Sequence, residues 1–108
     1  MIHSLKKDYE FNFVYKKGVS FADKYLVIYV AENNKNRNLL GLSISKKLGK
    51  SVVRNRVRRL IKETYRKQKL KQGKSIVIIA RPAAKTADYY RIESSLVYLL
   101  KKHGIIQI

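Results

Sequence analysis

Hydrophobic residues recur along this chain at two spacings, one typical of strands and one typical of helices. Alternation of apolar and polar positions predicts strands, whereas apolar residues three and four positions apart predict helices. The predicted strands cover residues 25–31, 39–45 and 75–80, and the predicted helices cover residues 5–17, 51–71 and 87–102. The resulting order αββαβα predicts one compact α+β domain that spans residues 1–108.

Residues that favour helix ends flank each predicted helix. Side-chain oxygens of Ser and Thr cap free N–H groups at a helix start, and glycine adopts the backbone conformation that ends many helices. The predicted caps are Ser4, Ser51 and Thr86, and the predicted terminating glycines are Gly18, Gly73 and Gly104.

The long central helix has two chemically different faces. At about 100° per residue, its apolar stripe consists of Val53, Val57, Leu60, Ile61, Thr64 and Tyr65. The opposite face carries Asn55, Arg59, Lys62 and Arg66, with Arg56 and Arg58 on its flanks and Arg54 near the edge of the apolar stripe. We therefore expect the apolar stripe to pack on the sheet and the cationic face to be exposed.

Basic residues far outnumber acidic ones, and most of the excess lies around this helix. The chain has 25 Lys and Arg against 7 Asp and Glu, which gives a formal net charge of +18. Residues 46–74 hold 13 basic residues and one acid, Glu63, so the ion pairs typical of solvated helices are nearly missing. This charge predicts an anionic partner, namely nucleic acid, an acidic membrane or an acidic protein. Among these partners phosphate is favoured, because an arginine guanidinium can donate two hydrogen bonds to it at once. Lys46, Lys47 and Lys50 also favour phosphate, since they lie beside the N-terminus of the helix.

Aromatic residues are concentrated in the first predicted helix and the first predicted strand. On the helix, Phe11 and Tyr15 share one face, while Tyr9 and Phe13 share another, so we expect one of these pairs to be core. On the strand, Leu26, Ile28 and Val30 alternate with Tyr25, Val27 and Tyr29, and the aliphatic set is the one that suits the core. Aromatic faces beside cations are typical of surfaces that bind single-stranded RNA.

Several classes of protein are disfavoured by what the sequence lacks. There are no cysteines, and the seven acids are scattered, so no catalytic centre and no metal site are predicted in the protein itself. No secretory signal is readable, and the longest apolar run, residues 25–31, is far shorter than the ~20 residues that span a bilayer, so a soluble intracellular protein is expected. A membrane-surface role is disfavoured because the basic helix turns its apolar face to the sheet. DNA binding is not expected because no short helix pair precedes the long helix.

The segment GLSISKKLGKSVVRNRVRRLIKETYR, residues 41–66, closely resembles the protein subunit of bacterial ribonuclease P. The resemblance rests on the triplet Arg54-Asn55-Arg56 and on the pair Arg58-Arg59, with further likeness in residues 5–18 and 79–82. It implies a mixed sheet with a left-handed βαβ crossover, in a two-layer sandwich like that of some ribosomal proteins.

The resemblance also implies a function. The family binds the single-stranded 5′ leader of precursor tRNA in a cleft between the first helix and the sheet, to which Phe11, Tyr15, Tyr29 and Tyr25 are assigned. It contacts the catalytic RNA through residues that correspond here to Lys46, Lys47, Lys50, Arg54, Asn55, Arg56, Arg58, Arg59, Lys62 and Arg66. In this family the RNA, with Mg²⁺, cleaves the leader, so the protein is expected to be a non-catalytic, cytoplasmic subunit that holds no metal tightly. A ribosomal or other structural RNA-binding protein is the alternative.

Overall fold

The structure, a computed structural model, describes residues 2–107 and contains a mixed sheet flanked by helices. The strands are β1 (His3–Ser4), β2 (Val19–Ala22), β3 (Leu26–Glu32), β4 (Leu39–Ser43) and β5 (Lys74–Ala80). The helices are α1 (Asp8–Lys17), α2 (Ser51–Arg66) and α3 (Tyr89–Lys102), and two short 3₁₀ turns cover Lys46–Leu48 and Pro82–Lys85. The predicted α+β class is confirmed.

The sheet has the strand order β1-β4-β5-β3-β2. β3 is antiparallel to both β2 and β5, whereas β4 is parallel to β1 and β5, so the sheet is mixed as predicted. The two outer strands, β1 and β2, were not predicted, because each is too short to show alternation. The predicted helix start at residues 4–5 is wrong, since Ser4 pairs with Leu40 and the N–H of Leu5 donates to the Leu40 carbonyl at 3.0 Å.

The ends of the other two helices also differ from the prediction. α2 stops at Arg66 rather than at residue 71, and Gly73 lies in the turn before β5 with φ of +88°. Ser51 makes no side-chain cap for α2. The cap of α3 is Asp88 rather than Thr86, because its carboxylate accepts a hydrogen bond from the N–H of Arg91 at 2.9 Å.

Helices cover both faces of the sheet, so the domain has three layers rather than the predicted two. α1 packs on one face over a small cluster made by Leu5, Val14, Ala31, Leu39 and Val77, with Phe11, Tyr29 and Ile79 at its margin. α2 and α3 pack on the other face over the larger core, whose centre is Leu26, Ile28, Val57, Ile61, Ile76, Ile78, Ile92, Leu96, Leu99 and Leu100. The predicted apolar stripe of α2 and the inward face of β3 are therefore confirmed.

The connection from β4 through α2 to β5 is left-handed. The N–H of Arg81 donates to the Tyr25 carbonyl, and because hydrogen-bonded pairs alternate, Val27 and Tyr29 also direct their backbone groups toward β5. Their side chains face α1. In a strand of L-residues that runs upward, residues whose side chains face the viewer direct their N–H and C=O groups to the right. With α1 toward the viewer and β3 running upward, β5 therefore lies to the right of β3. When the view is turned so that β4 and β5 run upward, β5 lies to the right of β4. Since α2 crosses behind the sheet, the crossover has the rare hand that the resemblance implied.

Candidate nucleic-acid interface

The first helix is fixed over the sheet by its N-terminus and by one buried residue. The Glu10 carboxylate accepts hydrogen bonds from the N–H groups of Lys6 (3.0 Å) and Lys7 (2.8 Å), and these bonds hold the pKa of Glu10 below its usual value. Val14 is fully buried against the sheet. Neither predicted aromatic pair is fully buried, so the expectation that one of them forms the core is wrong.

Phe11 and Tyr15 lie on the flank of α1 that faces the end of β4. Phe11 packs on Gly41, whose missing side chain leaves room for the phenyl ring. Between this flank and the segment that leads into α2 lies a groove of about 540 Å³. It is lined by Asp8, Phe11, Asn12, Tyr15, Leu42, Ser43, Ile44 and Arg58, and we call it the α1 groove.

Tyr29 joins this aromatic flank from the sheet. It lies on β3 on the face covered by α1, and its ring meets that of Tyr15 edge to face, with centroids 5.0 Å apart at 74°. Beyond it on the same face lie Val27 and its cross-strand partner Ile79, both half-buried. The structure therefore brings together three of the four aromatics predicted for the cleft.

Tyr25, the fourth predicted cleft residue, lies elsewhere. Its N–H donates to the Asp23 carboxylate at 2.9 Å, in a turn that precedes β3, and its side chain packs against the core of α2 and α3. It lines a second hollow together with Tyr90 and Tyr98 of α3. Tyr25 is thus separated from the α1 groove, contrary to the prediction.

The exposed face of α2 is cationic, as its helical periodicity predicts. Asn55, Arg59 and Arg66 are exposed, and Lys62 is half-buried beside them. Arg59 has a side chain that is 67% exposed, and its Nε lies 3.9 Å from the Glu63 carboxylate. At that distance and exposure the pair holds little energy, so Arg59 is available to another anion.

Asn55 connects this cationic face to the α1 groove. Its side-chain carbonyl accepts a hydrogen bond from Arg58 Nη1 at 2.9 Å, which orients the Arg58 guanidinium toward the groove that Phe11 and Tyr15 line. A phosphate chain that follows α2 would therefore meet Arg58 next to the aromatic flank.

The two arginines that flank Asn55 in the sequence make contacts within the protein. Arg54 donates to the Gly49 carbonyl and to the Ser51 hydroxyl, both at 3.2 Å, so it stays near the apolar edge as predicted. Arg56 donates to the carbonyls of Ala87 (2.6 Å) and Lys85 (3.3 Å), so its guanidinium ties α2 to the segment before α3. Arg56 therefore has a structural role within the protein, and its contact with RNA stays a prediction.

The lysines before α2 surround the uncapped N-terminus of that helix. Leu48 is buried and anchors the segment, while Lys46, Lys47 and Lys50 are exposed. No side chain caps α2 at Lys50, so the first N–H groups of the helix and the lysine charges act in the same direction. Both favour an anion.

Asp8 and Asn12 are groove residues that sequence reasoning missed. Both lie on the helical face that carries Phe11 and Tyr15, since residues 8, 11, 12 and 15 recur at helical spacing. This helical periodicity is the feature of the sequence that identifies them as neighbours of the aromatic residues.

Among residues 2–107, no three His, Asp or Glu side chains converge as a metal site. Within the same described residues, no helix has the length and apolar character needed to cross a membrane.

Comparisons with known proteins agree on one family. The sequence model described as "Ribonuclease P" matches residues 2–104. The "Ribonuclease P protein component" of Clostridium botulinum (strain 657) is 51% identical over 106 residues, covering 95% of this chain and 96% of the relative. The protein of the same name from Clostridioides difficile (strain 630) is 51% identical over 104 residues, covering 94% and 91%.

Solved structures show the same fold. The RNase P protein of Staphylococcus aureus superposes with a TM-score of 0.87 at 34% identity and covers 99% of this chain and 100% of that one. The RNase P protein of Thermotoga maritima gives 0.83 at 27% identity, covering 93% and 96%. These matches do not favour the alternative of a ribosomal protein. With its aromatic groove, its cationic α2 and its left-handed crossover, the chain belongs to the ribonuclease P protein family, as a protein component of the ribonucleoprotein that matures the 5′ ends of tRNA.

Proposed function

We propose that this protein binds the unpaired 5′ leader of precursor tRNA in the α1 groove and binds the catalytic RNA through the cationic face of α2. The observation that carries the proposal is that Phe11 and Tyr15 line the groove together with Arg58, while Tyr29 packs edge to face on Tyr15. Aromatic rings stack on unpaired bases of any sequence, and a neighbouring guanidinium neutralises the phosphates between them.

The groove suits a single strand better than a duplex. Its lining aromatic residues, Phe11 and Tyr15, lie on α1, and Tyr29 packs on Tyr15 from β3. An unpaired strand can reach such rings because its bases are free to turn away from the backbone. Asn12 adds an exposed amide at the groove, which can donate to or accept from a base edge.

The cationic face of α2 suits the backbone of a structured RNA. Arg59, Lys62 and Arg66 follow one another along the exposed face, and Lys46, Lys47 and Lys50 extend the charge past the helix N-terminus. These side chains read phosphates rather than sequence, because the phosphate charges of a folded RNA are its most accessible groups. The protein then positions the leader while the catalytic RNA holds the rest of the substrate.

We propose that the protein alone holds no Mg²⁺ tightly. Mg²⁺ needs several oxygen ligands in near-octahedral geometry, and the described acids do not converge around one point. Among residues 2–107, Asp8 is the carboxylate that lines the α1 groove. In this proposal Mg²⁺ is therefore held mainly by RNA phosphates, and the protein works in the cytoplasm, where its RNA partners are made.

The test compares two substrates of the assembled holoenzyme. The variant Tyr29→Ala should weaken binding of precursor tRNA by about one to two decades, since stacking contributes roughly 1–3 kcal/mol per base. Binding of mature tRNA, which has no leader, should change little, and so should assembly with the catalytic RNA.

A matched control is Tyr9→Ala. Tyr9 is on the opposite flank of α1 and is 70% exposed, so its loss should leave the binding of both tRNAs unchanged. Equal losses for precursor and mature tRNA in Tyr29→Ala, with folding confirmed by melting, would show that Tyr29 acts in packing or assembly, and the leader assignment would be abandoned.

A further inference from the structure

A second aromatic surface lies on α3, outside the α1 groove. Tyr90 and Tyr98 project from the exposed side of this helix, two turns apart with Ser94 between them, and are 75% and 52% exposed. Together with Tyr25 they line a hollow of about 530 Å³. We call this the α3 hollow.

The rim of the α3 hollow carries cations that lie against the tyrosine rings. Lys24 Nζ lies 5.7 Å from the centroid of Tyr25, and Lys102 Nζ lies 5.6 Å from that of Tyr98. Arg91 also lines the hollow. Tyrosine rings with ammonium and guanidinium groups beside them are what an unpaired nucleic-acid strand needs for stacking and for phosphate contact.

The two acids at the hollow are engaged in local structure. The Asp23 carboxylate accepts from the N–H groups of Tyr25 (2.9 Å) and Leu26 (3.0 Å) and from the Ser95 hydroxyl (2.8 Å). Asp88 caps α3 and pairs with Arg91 at 3.2 Å. Both carboxylates are therefore held by hydrogen bonds in the turn before β3 and at the helix start, while Lys24 and Lys102 are exposed beside the rings.

The hollow and the α1 groove lie on opposite faces of the sheet, both at the end where β4 stops and β3 begins. Tyr25 and Tyr29 are four residues apart, so about 13 Å of β3 separates them, and Val27 lies between them on the face of the groove. Arg81 is at the crossing point: its N–H donates to the Tyr25 carbonyl at 2.9 Å and its guanidinium donates to the Asp23 carbonyl at 3.0 Å. A strand that leaves the groove past Val27 meets Arg81 and then the tyrosines.

We propose that the α3 hollow binds unpaired nucleotides of the leader that lie farther from the cleavage site than those held in the α1 groove. This inference rests on the proposed function of the groove. The bases stack on Tyr90 and Tyr98, and the phosphates lie against Lys24 and Lys102. The protein then holds a long leader at two separate stacking surfaces and a short leader at one.

The experiment varies the leader length as well as the protein. Holoenzyme affinity is measured for precursor tRNAs with an unstructured leader of about 5 or about 15 nucleotides, lengths that bracket one single-strand site. The double variant Tyr90→Ala/Tyr98→Ala should bind the long-leader substrate about tenfold more weakly and the short-leader substrate with unchanged affinity. The double variant Tyr90→Phe/Tyr98→Phe keeps both rings and should retain the affinity for the long leader.

The outcomes separate this inference from the proposal for the groove. An unchanged affinity of the alanine variant for the long leader would overturn the inference, and so would an equal loss for both leader lengths. Tyr29→Ala is predicted to weaken the binding of both the short-leader and the long-leader substrate. If it weakens neither, while Tyr90→Ala/Tyr98→Ala still weakens the long-leader substrate alone, the result would count against the groove proposal only. Tyr9→Ala serves again as the matched control and should change neither affinity.

Discussion

Phe11 lies so close over Gly41 that a β-carbon at position 41 would come within 2.5 Å of Phe11 Cε1 and 2.7 Å of its Cζ. This close approach joins the aromatic flank of the α1 groove to the backbone of β4. The third neighbour, Leu5 Cδ1 at 3.0 Å, closes the space from the other side, so the ring has to move if a methyl group is added.

The variant Gly41→Ala should therefore both destabilise the protein and disturb the groove. Overpacking of this kind typically costs about 1–3 kcal/mol, which urea denaturation would detect. Precursor tRNA should bind more weakly than to the wild-type holoenzyme, because Phe11 is displaced from its place beside Tyr15. Mature tRNA should bind as before.

The matched variant Phe11→Leu shows whether the clash is the cause. Leucine is smaller than phenylalanine, so the double variant Gly41→Ala/Phe11→Leu should lose less stability than the sum of the two single losses. Strictly additive losses would show that position 41 does not act through the Phe11 ring.

The exposed cations of α2 should set the salt dependence of RNA binding. Each of the variants Arg59→Gln, Lys62→Gln and Arg66→Gln should reduce the log–log slope of affinity for the catalytic RNA against salt by about 0.7–0.9, because one phosphate contact is lost. Protein stability should change little, since the one ion pair of Arg59 is long and exposed. The measurement is a titration at several salt concentrations.

Arg56 lies on the same helix, but its replacement should affect protein stability rather than the salt dependence of RNA binding. Its guanidinium donates to the carbonyls of Ala87 and Lys85, so Arg56→Gln should cost about 1.5–3 kcal/mol in unfolding free energy while the salt slope stays near that of the wild type. A slope that falls with Arg56→Gln but not with Arg59→Gln would mean that the RNA lies on the opposite flank of α2.

Periodicity predicted those parts of the structure whose side chains repeat over several turns or strand residues. Val57, Ile61 and Thr64 on the stripe of α2 are buried as their spacing requires, and Leu26 and Ile28 are buried on the inward face of β3. The end of α2 was not predictable in this way. Leu70 looks like a further helical core position, but it forms a bridge with Ile106, a contact between distant segments that local pattern does not contain.

In the candidate site, too, periodicity predicts some side-chain positions and fails for others. Phe11, Tyr15 and Tyr29 come together because helical and strand spacing place them on faces that meet. Tyr25 has the same strand parity as Tyr29, yet it is directed to α3, because the Asp23 carboxylate binds its N–H and turns the chain just before β3 begins. The alternation of side chains predicts their direction only within the strand. A turn that is fixed by a side-chain hydrogen bond changes the direction of the residue before the strand begins.

His103 should make the stability of the fold depend on pH in the acidic range. Its Nε2 atom lies 2.7 Å from the Ile28 carbonyl, so this nitrogen carries the hydrogen and donates it. The ring is half-buried and meets the Phe21 ring edge to face, with centroids 4.7 Å apart, and Lys102 Nζ lies 5.0 Å from the Phe21 centroid. Burial lowers the pKa of His103 below its usual value, even though the bond to Ile28 acts in the opposite direction.

Because its pKa is lowered in the folded protein, His103 makes the unfolding free energy decrease as the pH falls. In the unfolded chain His103 takes up a proton near its ordinary pKa of about 6.5, whereas in the folded protein it does so at lower pH. Its contribution to stability is therefore complete above about 6.5 and is lost as the pH falls through the folded pKa. The variant His103→Gln keeps an N–H donor for Ile28 but does not titrate, so its unfolding free energy should fall less between pH 7 and pH 5 than that of the wild type. Parallel losses in the two proteins would show that other titratable groups cause the acid sensitivity and that His103 is not responsible.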